Sequence, residues 1–165
     1  MGRVLGVVLI VAAVGGGLGM YYLQVYAFYD EFVGGGFALS TPDGPVLVEP
    51  EGMQGIDATS SPLRYRACFA AALDPAPYVP HPDPVPTVGP GWFECYDADA
   101  TAAALAAGEA TAVEAESGLY GIDRVVALWP DRGVVWHQLN PCGEAVFAGR
   151  PAPEGCPPPP EAYLD

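Results

Sequence analysis

The 165-residue chain contains no lysine, and its six arginines face twenty acids, for a formal net charge of −14. Without lysine there is no Walker phosphate loop, and the surplus of negative charge repels phosphate backbones, so nucleic acid is excluded as a partner class. A GxSxG elbow and an SxxK pair are also missing; Ser60 and Ser61 stand directly before Pro62 and read as a turn or cap rather than as nucleophiles. There is no CxxC pair, and histidine occurs only at His81 and His137. No catalytic signature remains, and no enzyme activity or cofactor is expected.

Charge is absent altogether from Val4 to Phe28, VLGVVLIVAAVGGGLGMYYLQVYAF. A bilayer core of about 30 Å needs about 20 apolar residues at 1.5 Å rise, so this run is long enough to span a membrane. Arg3 precedes it, while Asp30 and Glu31 follow, which by the positive-inside bias places the N-terminus in the cytoplasm. Tyr21, Tyr22, Tyr26, Phe28 and Tyr29 crowd the outer end, where amphipathic rings favour the headgroup layer. The rival reading is a signal sequence cleaved after Ala27, but the apolar run exceeds an ordinary signal core and ends in bulky aromatics. Gly15 and Gly19 form a small-xxx-small pair that lets a second helix approach closely, as a homodimer seam would require. A flexible anchor rich in glycine and alanine explains the same residues.

Beyond the anchor, five arginines against all twenty acids leave a net −15. Twenty-one glycines and nineteen prolines in the whole chain favour a loop-rich fold over long elements. Cys68, Cys95, Cys142 and Cys156 all follow the apolar run. In an oxidising compartment they are expected to form two disulfides, worth about 2 to 4 kcal/mol each. Pairing neighbours, Cys68 with Cys95 and Cys142 with Cys156, closes the shortest loops; a zinc site is the alternative.

In chain order, residues 1–31 read as the anchor, 32–44 as a stalk through Gly34, Gly35 and Gly36, and 45–165 as one small domain. Pro45 to Glu49 reads as an edge strand bounded by prolines. Leu63, Tyr65, Ala67 and Phe69 alternate with Arg64, Arg66 and Cys68, which predicts a strand carrying both arginines on one face. Prolines at 75, 77, 80, 82, 84 and 86 predict an extended covering loop. Asp97 to Gly108 has aspartates at its start, alanines within and a terminal glycine, which predicts a short helix. Ile122 to Asn140 reads as a β-hairpin about Pro130 and Gly133, with Trp129 facing Val134 and Val126 facing His137, and Thr111 to Glu116 as a strand beside it. The tail from Pro141 is expected to be stapled but unpacked. The fold class is thus α+β: a transmembrane helix, then a disulfide-braced antiparallel sheet with one short helix.

The segments YYLQVYAFY at Tyr21–Tyr29, SSPLRYRACF at Ser60–Phe69 and WHQLN with the cysteines after it resemble an uncharacterised family of short, single-pass envelope proteins of alphaproteobacteria. The resemblance covers most of the chain. It implies a bacterial inner-membrane protein with its domain in the periplasm, and it supplies no catalytic residue.

Two groups of residues remain as site candidates. Arg64, Arg66, Trp136 and His137 are candidates for binding a carboxylate or an envelope-protein partner, although the arginines serve equally to neutralise the domain's own acids. His81 and His137 would suit a metal pair if the fold brought them together. A half-exposed structural histidine is the plainer reading of His137.

Overall fold

The computed structural model describes residues 2–163. Residues 1, 164 and 165, at the limits of the expected anchor and domain, lie outside the described residues. Helix α1, Gly2–Val25, has 24 residues and a mean hydropathy of 2.2 in its most apolar window, and none of its residues is buried. It is long and apolar enough to cross a membrane, a property it shares with signal sequences.

Eight strands follow: β1 Asp30–Val33, β2 Phe37–Leu39, β3 Val46–Val48, β4 Gln54–Asp57, β5 Arg66–Phe69, β6 Thr111–Ala115, β7 Ile122–Leu128 and β8 Gly133–Leu139. They form one antiparallel sheet in the order β1-β4-β5-β8-β7-β6-β2-β3. β2 and β5 stand four places apart, a separation of about 19 Å in a flat sheet. The rings of Phe37 and Phe69 nevertheless meet at 5.6 Å, so the sheet curls on itself. Its inner face carries Phe37, Leu39, Met53, Ala67, Phe69, Val113, Val126 and Val135. The outer face carries Cys68, Ala112, Val125, Ala127, Val134 and Trp136 and is covered by Tyr96, Phe93 and Leu105.

The expected stalk is part of this sheet. Phe32 and Val33 pair with β4, and Phe37 to Leu39 pair with β3. Gly34 and Gly35, at φ 78° and 96°, make the turn between them, a conformation that side chains disfavour. Glycine here serves a turn rather than flexibility. β3 lies at a sheet edge, as the flanking prolines imply.

Leu63 and Arg64 are not strand residues. Ser61 caps, and Pro62 begins, a 3₁₀ turn over Pro62–Arg64, so the strand starts only at Arg66 and the two arginines do not share its face. The hairpin β7–β8 forms, but two residues tighter than expected: Arg124 faces His137 and Ala127 faces Val134. Pro130 and Asp131 alone make the loop, closed by the Trp129 N–H to the Arg132 carbonyl at 2.8 Å. Gly133 enters the strand opposite Phe69, whose ring occupies the space a Cβ would need. A two-residue shift keeps every side chain on its expected face.

Helix α2, Ala98–Ala107, starts at Asp97, whose side chain accepts the Ala100 N–H, and stops at Gly108 with φ 72°. The tail is not wholly unpacked. Asn140 caps helix α3, Pro141–Phe147, by accepting the Gly143 N–H, and Pro141 occupies the first turn, where its missing N–H costs nothing. Disulfides join Cys68 to Cys95 and Cys142 to Cys156, the neighbour pairing, and among the described residues no cysteine is free.

Candidate functional site

A loop with a proline at every second or third residue has few N–H groups and many carbonyls, so whatever binds it must donate. The outer face of the sheet supplies the donors. Arg66, 3% exposed, donates through Nε to Thr87 O at 2.9 Å, through Nη2 to Val88 O at 2.9 Å, and through Nη1 to Leu63 O and Tyr65 O at 2.7 and 2.6 Å. Trp136 Nε1 donates to Val85 O at 2.9 Å, and Gln138 Nε2 donates to Asp83 O at 3.0 Å while its Oε1 accepts the Val85 N–H. The Tyr96 hydroxyl donates to Thr87 O, and its ring stands 5.4 Å from the Arg66 guanidinium. Burial lowers the Arg66 pKa, with Tyr96 acting against the shift, and burial raises that of Tyr96.

Arg66, Trp136 and His137 are therefore not partner-facing residues. All three are buried, at 3%, 0% and 3% exposure. Arg66 does not neutralise an acid either, because its partners are backbone oxygens.

His137 belongs to the opposite face. Its Nδ1 lies 2.7 Å from Pro62 O and its Nε2 accepts the Arg124 Nε–H at 2.9 Å, which fixes the proton on Nδ1. The ring stacks on Tyr65 at 4.7 Å, and the Arg124 guanidinium stands over the same tyrosine. Burial pushes the His137 pKa down to about 4; the Pro62 carbonyl opposes the shift and Arg124 adds to it. Burial likewise raises the Tyr65 phenol, with Arg124 acting against it. His137 is a neutral structural histidine.

His81 is held across the sheet from it, because Asp123 pairs with Gln138 whereas Arg124 pairs with His137. Its Nε2 lies 3.3 Å from Asp123 Oδ2, and its Nδ1 accepts the Asp83 N–H. Burial would raise the Asp123 carboxyl, but the bonds from His81 and Asn140 prevail and leave it below the ordinary range. The structure does not bring the two histidines together, and each already uses both ring nitrogens. They form no shared metal site.

His81 and Asp123 border a cleft of about 510 Å³ with Glu114, Gln138, Asn140 and Glu144. Its central polar groups satisfy one another, and no serine, cysteine or lysine stands beside its histidine. The geometry offers no activated nucleophile.

The remaining candidate, Arg64, stands where α1 meets the domain. Trp92 Nε1 donates to Val25 O at 2.7 Å, satisfying a carbonyl in the last turn of α1. The Trp92 ring stacks on Tyr26 and meets Tyr29 edge-on, both at 5.7 Å, and the Arg64 guanidinium lies 5.3 Å from the Tyr29 ring. Trp92 carried no signal beyond its aromatic character. The sequence distance to its partner, 67 residues, hides the contact.

Fold and site together define a small disulfide-braced antiparallel domain joined to an apolar helix, with its polar groups spent on holding a covering loop. The chain belongs to the family of unknown function DUF6446, whose model matches residues 38–157. No curated protein and no solved structure matches it.

Proposed function

We propose that α1 stays in the bilayer as a single-pass anchor and that the domain is a non-enzymatic accessory module, binding another envelope protein in the periplasm of a bacterium with its N-terminus in the cytoplasm. The observation that carries the anchor is the bond from Trp92 to Val25 O, with the stacking of Trp92 on Tyr26. Cleavage after Ala27 would remove both partners and leave Trp92 only its edge-on contacts with Tyr29 and Phe93. The two disulfides support an oxidising compartment, which agrees with an outward domain.

Alkaline carbonate extraction of native membranes, followed by mass measurement of the mature chain, tests the anchor. The protein is expected in the membrane pellet with α1 intact; a soluble chain beginning at Phe28 refutes it. Capture of the full-length protein from a detergent extract tests the accessory role. Recovery of no partner above background refutes that role and leaves the anchor standing.

A further inference from the structure

We propose that Arg64 holds the phosphate of a membrane lipid in the leaflet where α1 ends. This rests on the reading that α1 spans the bilayer. Both of the described ion pairs lie elsewhere, at His81–Asp123 and Arg150–Glu144. Among the described residues Arg64, in so acidic a domain, pairs with no carboxylate, and its side chain makes no hydrogen bond to a protein group. Its Nη1 is buried and unsatisfied, and the guanidinium packs over Tyr29. The side chain is only half-buried, so the rest of its planar fork stays available. A guanidinium laid over an aromatic ring with unspent N–H groups matches the bidentate geometry of a phosphate.

Depth supplies the occupant. A core of about 30 Å takes about 20 residues of α1, and the headgroup layer adds about 5 to 7 Å on each side. With Val4 at the inner boundary, Leu23 reaches the outer one, and Val25 ends α1 about 3 Å beyond it. Tyr26, Tyr29 and Trp92 then lie in the headgroup layer, where such rings are favoured, and Arg64 lies beside them. Lipid phosphates occupy the same layer.

The test uses full-length protein in nanodiscs of phosphatidylglycerol and phosphatidylethanolamine, compared with discs of phosphate-free digalactosyl diacylglycerol. Hydrogen exchange is read at the amides of Leu63 and Arg64, in the turn that carries the side chain. A charge-assisted bond of ordinary strength should slow exchange about tenfold in the phospholipid discs. R64Q should abolish the difference, and R64K, which keeps the charge without the fork, should retain part of it. Equal exchange of the wild type in the two lipids overturns the proposal without reference to any variant. Restoration of protection in galactolipid discs by excess inorganic phosphate also overturns it, because the site would then take a free anion. Co-purification with the discs is read first. Its failure refutes the anchor and this site together, whereas co-purification with equal exchange refutes the site alone.

Discussion

Replacing Arg66 tests whether the covering loop is held by a buried cation bonded to carbonyls. Its guanidinium spans two pairs of oxygens, Thr87 and Val88 on the loop and Leu63 and Tyr65 before β5. A hydrogen bond from a charged donor contributes about 1.5 to 3 kcal/mol, and a buried carbonyl left without a donor costs about 1 to 3 kcal/mol. R66M removes four such bonds, and even if water reaches some of the oxygens the loss is expected to be at least about 4 kcal/mol. That is a large share of the roughly 5 to 15 kcal/mol that holds a domain together. R66K keeps the charge but concentrates its donors on one nitrogen, which cannot reach both pairs; it should cost about 2 to 3 kcal/mol. Urea unfolding of full-length protein in mild detergent, followed by near-ultraviolet circular dichroism, measures both. An exposed ion-pairing arginine would cost under about 1 kcal/mol in either variant. A value that small for R66M refutes the carbonyl hub, and equal losses for R66K and R66M refute the argument from geometry.

His137 has a folded pKa of about 4, below the unfolded value of about 6.5, so between those values the unfolded chain binds the extra proton. Stability should be full above pH 6.5 and fall by about 3 kcal/mol as the pH drops to 4. A His137 imidazole resonance that titrates near pH 6.5 would contradict this. Asp123, held below its ordinary range, should add a loss at lower pH, reduced in N140A by the missing hydrogen bond and read from the same unfolding series. Closing 27- and 14-residue separations gives chain-entropy contributions of about 3.5 and about 3 kcal/mol, so C68A/C95A should destabilise slightly more than C142A/C156A in urea. G133A forces a methyl into the Phe69 ring and should cost about 1 to 3 kcal/mol; an unchanged thermal midpoint would show that the ring can move aside.

What was legible in the sequence had local causes. Asp97 and Gly108 bracket α2 because an N-cap and a left-handed terminus are set by residues at the ends themselves. The neighbour pairing of cysteines follows from short loops, and β3 from flanking prolines. Asn140 before Pro141 was also a local signal for α3, masked by the proline-rich composition around it. The hairpin register turned on a contact 64 residues away, where Phe69 claims the space over Gly133 and draws the glycine into the strand. The strands β1 and β2 were hidden by the glycines between them. Burial of Arg66 and Trp136 was not readable, because their partners are main-chain oxygens of a loop whose path no side-chain pattern records.

The covering loop also determines how the domain meets α1. Only four residues separate Val25 from Asp30, a reach of about 14 Å at full extension, so the expected glycine stalk provides no slack there. Trp92 shortens the tether further by bonding Val25 O, and the same loop is fastened to β5 by Cys95 and by Arg66 through Thr87 and Val88. Loosening the loop at its sheet end should therefore loosen the helix end as well. A freely swinging domain would need none of these bonds, whereas one held in a fixed orientation at the end of α1 uses them. R66K should accordingly raise hydrogen exchange at Phe93, to which Arg66 makes no hydrogen bond, as well as at Val85, whose N–H donates to Gln138 Oε1 within the loop that Arg66 holds. An increase confined to Val85 would separate the two fastenings and leave the orientation of the domain to Trp92 alone.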